Sequence, residues 1–111
     1  MASTKEYLDY VLEQLSEVPE ITWRSMMGEY ILYCRGRLFG GIYDDRLLVK
    51  PTSAARKLMP ETAMEKPYEG AKEMLVVDRI EDRDFLSELV EAMIPDIPVP
   101  KNKRKITATN R

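Results

Sequence analysis

An α+β domain is predicted: an antiparallel meander of about five strands flanked by an amino-terminal and a carboxy-terminal helix. Three observations predict it. Between Arg24 and Lys50, apolar residues alternate across three closely spaced turn signals, Met27-Gly28, Arg35-Gly36 and Asp44-Asp45, the pattern of consecutive hairpins. Apolar stripes of helical period stand on either side of that segment. Tyr7, Leu8, Val11, Leu12 and Leu15 precede it, and Phe85, Leu86, Leu89, Val90, Met93 and Ile94 follow it. One sheet is available to receive both stripes, so the helices are expected to cover the same side and leave the other for a partner.

The first helix, near residues 5–16, opens on Ser3-x-x-Glu6, read as a capping box, and ends before Pro19. Strands follow at about Ile21 to Met26, Glu29 to Cys34, Leu38 to Tyr43 and Arg46 to Lys50. Gly40-Gly41 inside the third strand signals a bulge or a close backbone approach. After Pro51 a short helix is capped by Thr52 or Ser53 and stops at Met59-Pro60. Residues 60–72, with Pro60, Pro67 and Gly70, read as a long surface loop, and a fifth strand covers Met74 to Val77. The last helix, 82–94, carries Asp82 and Asp84 in its first turn, where negative charge meets the positive end of the helix dipole. Pro95 closes it.

The 111 residues suit one domain, assigned to 1–95, with a basic and extended tail over 96–111. The single cysteine, Cys34, excludes an internal disulfide and fits a reducing compartment. No apolar leader or membrane-length run is present, so a cytoplasmic protein without membrane partners is expected. Net charge is −2, but residues 101–111 hold Lys101, Lys103, Arg104, Lys105 and Arg111 and no carboxylate, leaving the body at about −7. Such a body repels phosphate backbones, so nucleic-acid binding would fall to the tail or to a local basic strip. The tail has no aromatic residue to stack on bases, and a solubilising role is the simpler reading.

Catalytic patterns are sparse. With no histidine, Ser/His/Asp and Cys/His arrangements and imidazole metal sites are absent. Cys34 sits in an alternating strand and reads as a buried structural thiol. Glu29, Asp44 and Asp45 could meet at neighbouring turns, the basis of a rival acid-base or metal-dependent reading, yet Asp44-Asp45 is also ordinary turn chemistry. Phe39-Gly40-Gly41 matches neither a P-loop nor a dinucleotide fingerprint. No cofactor is expected, and the chain is read as non-enzymatic. Arginine and tyrosine are enriched at interfaces. The candidate partner-binding residues are therefore Arg24, Glu29, Tyr30, Tyr43, Asp44, Asp45 and Arg46, with Tyr33, Arg35 and Arg37 beside them. Trp23 reads as a core residue of the first strand, and most of Met26, Met27, Met59, Met64 and Met74 as core filling. Five strands leave two unpaired edges, so a homodimer through the sheet or an edge is expected.

Arg24, Met26, Met27 and Gly28, then Phe39-Gly40-Gly41, then Asp44-Asp45 with Leu47, Leu48 and Lys50 resemble the amino-terminal domain of the TfoX/Sxy family over about residues 3–94. The family pattern has phenylalanine where Met27 stands. The resemblance implies an α+β sandwich similar to secretion chaperones and a role like that of natural-competence regulators in bacteria. Two-domain members of the family also carry a helix-hairpin-helix-like second domain, with no counterpart in this sequence, so a stand-alone first domain is implied.

Overall fold

Each of the three turn signals produces a hairpin, because each places two residues in the left-handed conformation a tight primed turn requires. Met27 and Gly28 have φ of 54° and 87°, Arg35 and Gly36 53° and 77°, Asp44 and Asp45 55° and 56°. The computed structural model describes residues 3–98. It contains α1 (Lys5–Gln14), β1 (Ile21–Met26), β2 (Glu29–Cys34), β3 (Arg37–Ile42), β4 (Leu47–Val49), α2 (Ser53–Leu58), β5 (Met64–Glu65), β6 (Met74–Val76) and α3 (Arg83–Met93). The strands form one antiparallel sheet in the order β1-β2-β3-β4-β6-β5.

The expected meander of about five strands is present, with one short strand added. The addition, β5, lies within the segment read as a loop; its two residues pair with β6 alone, Met64 opposite Leu75 and Glu65 opposite Met74. Thr62, just before it, donates from its hydroxyl to the Val76 carbonyl.

Both helices bury their stripes in one core. Leu8 and Val11 from α1, Leu15 at its C-cap and Phe85, Leu86, Leu89, Val90 and Met93 from α3 join Leu32, Cys34, Phe39, Leu47, Val49 and Leu75 of the sheet. The opposite face carries a smaller cluster of Ile31, Tyr43 and Leu48, flanked by Tyr33, Leu38, Met74 and Val76. The α3 amino terminus is held as its composition requires. The Phe85 amide donates to Asp82 Oδ1 at 3.0 Å and Arg79 to Asp82 Oδ2 at 3.0 Å, bonds that hold the Asp82 carboxyl below its ordinary range. Arg79 also lies 4.2 Å over the Phe85 ring.

Three local expectations are corrected. The α1 cap is Thr4, whose hydroxyl accepts from the Tyr7 amide at 3.1 Å; Ser3, one residue earlier, is engaged elsewhere. Pro95 does close the α-helix, but the packed chain runs on past it into the segment read as tail. Ile94–Asp96 continue as a 3₁₀ turn and Ile97 is buried, because Arg37 Nη1 donates to the Ile94 and Ile97 carbonyls at 2.8 and 3.2 Å. Trp23 is not core: it is 40% exposed on β1, where the sheet ends and helix coverage runs out. The basic cluster of residues 101–111 lies outside the described residues.

The bulge falls where the glycine pair marked it. Leu32 stands opposite Gly40 and Tyr33 opposite Leu38, which leaves Phe39 without a partner across the ladder. Phe39 is fully buried, and β3 bends so that Leu38 and Tyr43 sit on the face away from the helices.

Candidate functional site

Glu29, Asp44 and Asp45 do meet, at the end of the sheet where the first and third turns lie side by side. The structure uses two of them as fasteners. Ser3 Oγ donates to Glu29 Oε1 at 2.6 Å and receives the Asp45 amide at 3.0 Å. The Asp44 amide donates to Glu29 Oε1 at 3.1 Å, and the Thr4 amide to Asp45 Oδ1 at 2.9 Å. A carboxylate oxygen already shared by a hydroxyl and an amide is a poor base for a substrate proton. Among the described residues no group of three or more histidine, cysteine or acidic side chains is placed to hold a metal ion.

The other candidates do not form one patch. Arg24, opposite Ile31, faces away from the helices, whereas Tyr30 packs on the helix-side core. Tyr30 also meets Trp23 edge-to-face at 5.5 Å between ring centroids. Arg35 and Arg37, read as interface residues, are spent on α3: Arg35 clasps Glu91 through two bonds of 3.1 Å, and Arg37 holds the carbonyls that end the helix. Cys34 is buried beneath the helices, with its thiol directed at the Pro19 carbonyl 3.6 Å away. Burial pushes that thiol up, with Arg35 opposing the shift. Arg46 donates from Nε to the Tyr43 carbonyl at 3.1 Å and pairs with Glu65, tying β5 to the third turn. The methionines divide: Met59 is buried and Met64 and Met74 are partly so, but Met26 is 42% and Met27 94% exposed.

What the sheet face does offer is a groove of about 720 Å³. Leu38 and Met74 supply its apolar floor and Tyr43 one wall, and Pro67, Tyr68 and Ala71 line it from the connection between β5 and β6. Lys50, Arg56 and Lys72 stand at its rim, with Glu73 the single carboxylate among the lining residues. The Tyr43 and Tyr68 rings are 6.3 Å apart and tilted by 54°. Tyr43 is available for this wall because residue 41 is glycine: a Cβ there would fall 2.7 Å from the Tyr43 ring. Of the seven candidates only Tyr43 belongs to the groove. Pro67, Tyr68 and Lys72 were hidden in a segment whose sequence signals only turns.

Tyr43 titrates late. Burial pushes its hydroxyl up to about 12, with smaller contributions from Tyr68, Glu29 and Tyr33. The unfolded chain releases this proton near the ordinary value of 10.0, so between that pH and about 12 it binds fewer protons than the folded chain. Stability is therefore expected to fall as pH rises through that window. A tyrosinate absorbance titration checks this: Tyr43→Phe should remove a late phase and leave the earlier ones.

The family model of the TfoX N-terminal domain matches residues 13–94, from within α1 to the end of α3. The chain belongs to the TfoX N-terminal domain family. A relative from Spirochaeta aurantia, described as an uncharacterized 12.7 kDa protein in the trpE 5′ region, is 31% identical over 110 residues. That alignment covers 98% of this chain and 96% of the relative. No solved structure matches the chain. In this TfoX N-terminal domain Gly40-Gly41 and Asp44-Asp45 serve the bulge and the third turn, and no helix among the described residues is long and apolar enough to cross a membrane.

Proposed function

We propose that this chain is a non-enzymatic regulatory or adaptor module of the cytoplasm, resembling the amino-terminal domain of competence regulators, that binds a protein partner. The observation that carries the reading is the groove over Leu38, Tyr43 and Met74. It is an apolar trough walled by two tyrosines and rimmed by Lys50, Arg56 and Lys72, on the face of the sheet that the helices leave uncovered. A body of negative net charge that gathers cations at one mouth suits an acidic segment presenting an apolar side chain to the floor. Membership of the TfoX N-terminal domain family supports the regulatory role.

The test is affinity capture from the native host by the full chain and by its Tyr68→Ala variant, with identification by mass spectrometry and measured affinity for the protein captured. Tyr68 is 56% exposed, so the variant is expected to fold and melt as the parent does. Binding should weaken by about tenfold or more, the usual effect of truncating an interface tyrosine anchor. Equal binding by both chains would move the partner site elsewhere. Turnover found in a metabolite and metal screen, and abolished by Glu29→Gln, would replace this reading with the enzymatic one.

A further inference from the structure

We infer that β1 is a self-complementary edge, along which two copies of this chain pair antiparallel about a two-fold axis through Trp23 and join their sheets into one. Of the two edges of the sheet, β5 is two residues long and fastened to Arg46, whereas β1 runs for six residues, all but Ile21 exposed. Trp23 and Met26, on opposite faces of the strand, are 40% and 42% exposed, large apolar side chains that an edge strand left in water would ordinarily replace with charge.

The hydrogen-bond parity of β1 follows from its hairpin. In a two-residue turn the flanking residues, here Met26 and Glu29, exchange both backbone bonds. Moving back by twos, Arg24 and Thr22 also face β2. The Arg35 amide donates to the Glu20 carbonyl at 3.0 Å, in keeping with the same parity. The amides and carbonyls of Ile21, Trp23 and Ser25 therefore point outward, and none of the turn, loop or cap bonds among the described residues reaches them.

A second copy can satisfy all of them in one register. With the axis at Trp23, that residue exchanges bonds with Trp23 of the partner subunit, and Ile21 and Ser25 exchange with the partner's Ser25 and Ile21. Side chains directly opposite share a face. The two tryptophans then meet on the helix side, next to Tyr30. On the other face Arg24 stands opposite the partner's Thr22, with the partner's Glu20, the positive-φ residue just before β1, on one diagonal and the partner's Arg24 on the other. Arg24 has no ion pair among the described residues, and the dimer supplies a carboxylate to each. Moving the axis to Arg24 would set two guanidinium groups directly opposite at the closer, non-hydrogen-bonded spacing. Moving it to Thr22 would leave Ser25 unpaired. The backbone selects Trp23, and that register keeps the two Arg24 side chains out of direct opposition.

Analytical ultracentrifugation of the full chain from low to high micromolar concentration tests the inference, with tryptophan emission read across the same range. Trp23 is the sole tryptophan, so its emission reports this edge. The mass is expected to rise from 12.9 kDa towards twice that value as the emission shifts to the blue. Ser25→Pro removes an outward amide that the monomer does not use, so it should leave the circular dichroism unchanged and the protein monomeric throughout. Arg24→Glu should weaken the dimer by about tenfold, and adding Glu20→Arg should restore it. A monomer at every concentration, a dimer untouched by Ser25→Pro, or a dimer whose emission does not move with concentration would each overturn the pairing.

Discussion

Replacing Gly40 by alanine is expected to lower the melting temperature by more than about 10 °C. A Cβ on Gly40 would lie 2.3 Å from the Leu48 carbonyl oxygen and 3.0 Å from the Val49 Cα. Both are backbone atoms of β4, paired with β3 through Gly40 opposite Val49 and Gly41 opposite Leu48. No rotamer relieves the contact, so the two strands must separate at the centre of the sheet. Overpacking costs about 1–3 kcal/mol, occasionally more, and this case belongs at the upper end because the obstruction is main chain. For a domain of this size each kcal/mol moves the midpoint by about 4–8 °C. Gly41→Ala is a useful comparison: its Cβ would meet the Tyr30 carbonyl at 2.7 Å and the Tyr43 ring at 2.7 Å, so part of the strain can be released by turning the ring. Thermal melts of the two variants check the ranking. A Gly40→Ala midpoint within about 2 °C of the parent would mean that β3 and β4 slide apart freely.

The glycine pair also shows how much of this fold the sequence carries openly. Hairpin turns are legible because few residues accept positive φ, and Met27-Gly28, Arg35-Gly36 and Asp44-Asp45 announce themselves in a row. The helices are legible because their stripes repeat with a fixed period. What stays hidden is tertiary. Ser3-x-x-Glu6 reads as the cap on paper, and the role falls to Thr4 because Ser3 finds Glu29 and Asp45 across the sheet. Alternation places Trp23 and Leu32 on the same face, but it cannot tell that helix coverage reaches Leu32 and thins before Trp23. The short β5 has no period at all, and the groove depends on how residues 66–73 fold back over Leu38 and Tyr43. Arginines look alike in sequence whether they meet a partner or, as with Arg35 and Arg37, fasten a helix.

Phe39→Ala is expected to cost about 3–5 kcal/mol, the range for emptying a buried phenylalanine site. Phe39 is fully buried and is among the largest of the completely enclosed side chains. It is also the extra residue of the bulge, and the register jump turns both Phe39 and Gly40 towards the helices. Gly40, opposite Leu32 and Val49, contributes no side chain, so the Phe39 ring fills the space of two residues between the sheet and the helices. Its loss leaves a cavity that neighbours tied into strands cannot readily close. Against a total stability of about 5–15 kcal/mol for a domain of this kind, a third or more would disappear. Leu38, one position earlier, faces the groove and is only partly buried. Leu38→Ala should cost well under half as much and act chiefly on partner binding. Urea titration of the two variants separates the roles: equal losses would place Phe39 and Leu38 in one core, contrary to the bulged register that divides the helix-side packing from the open face.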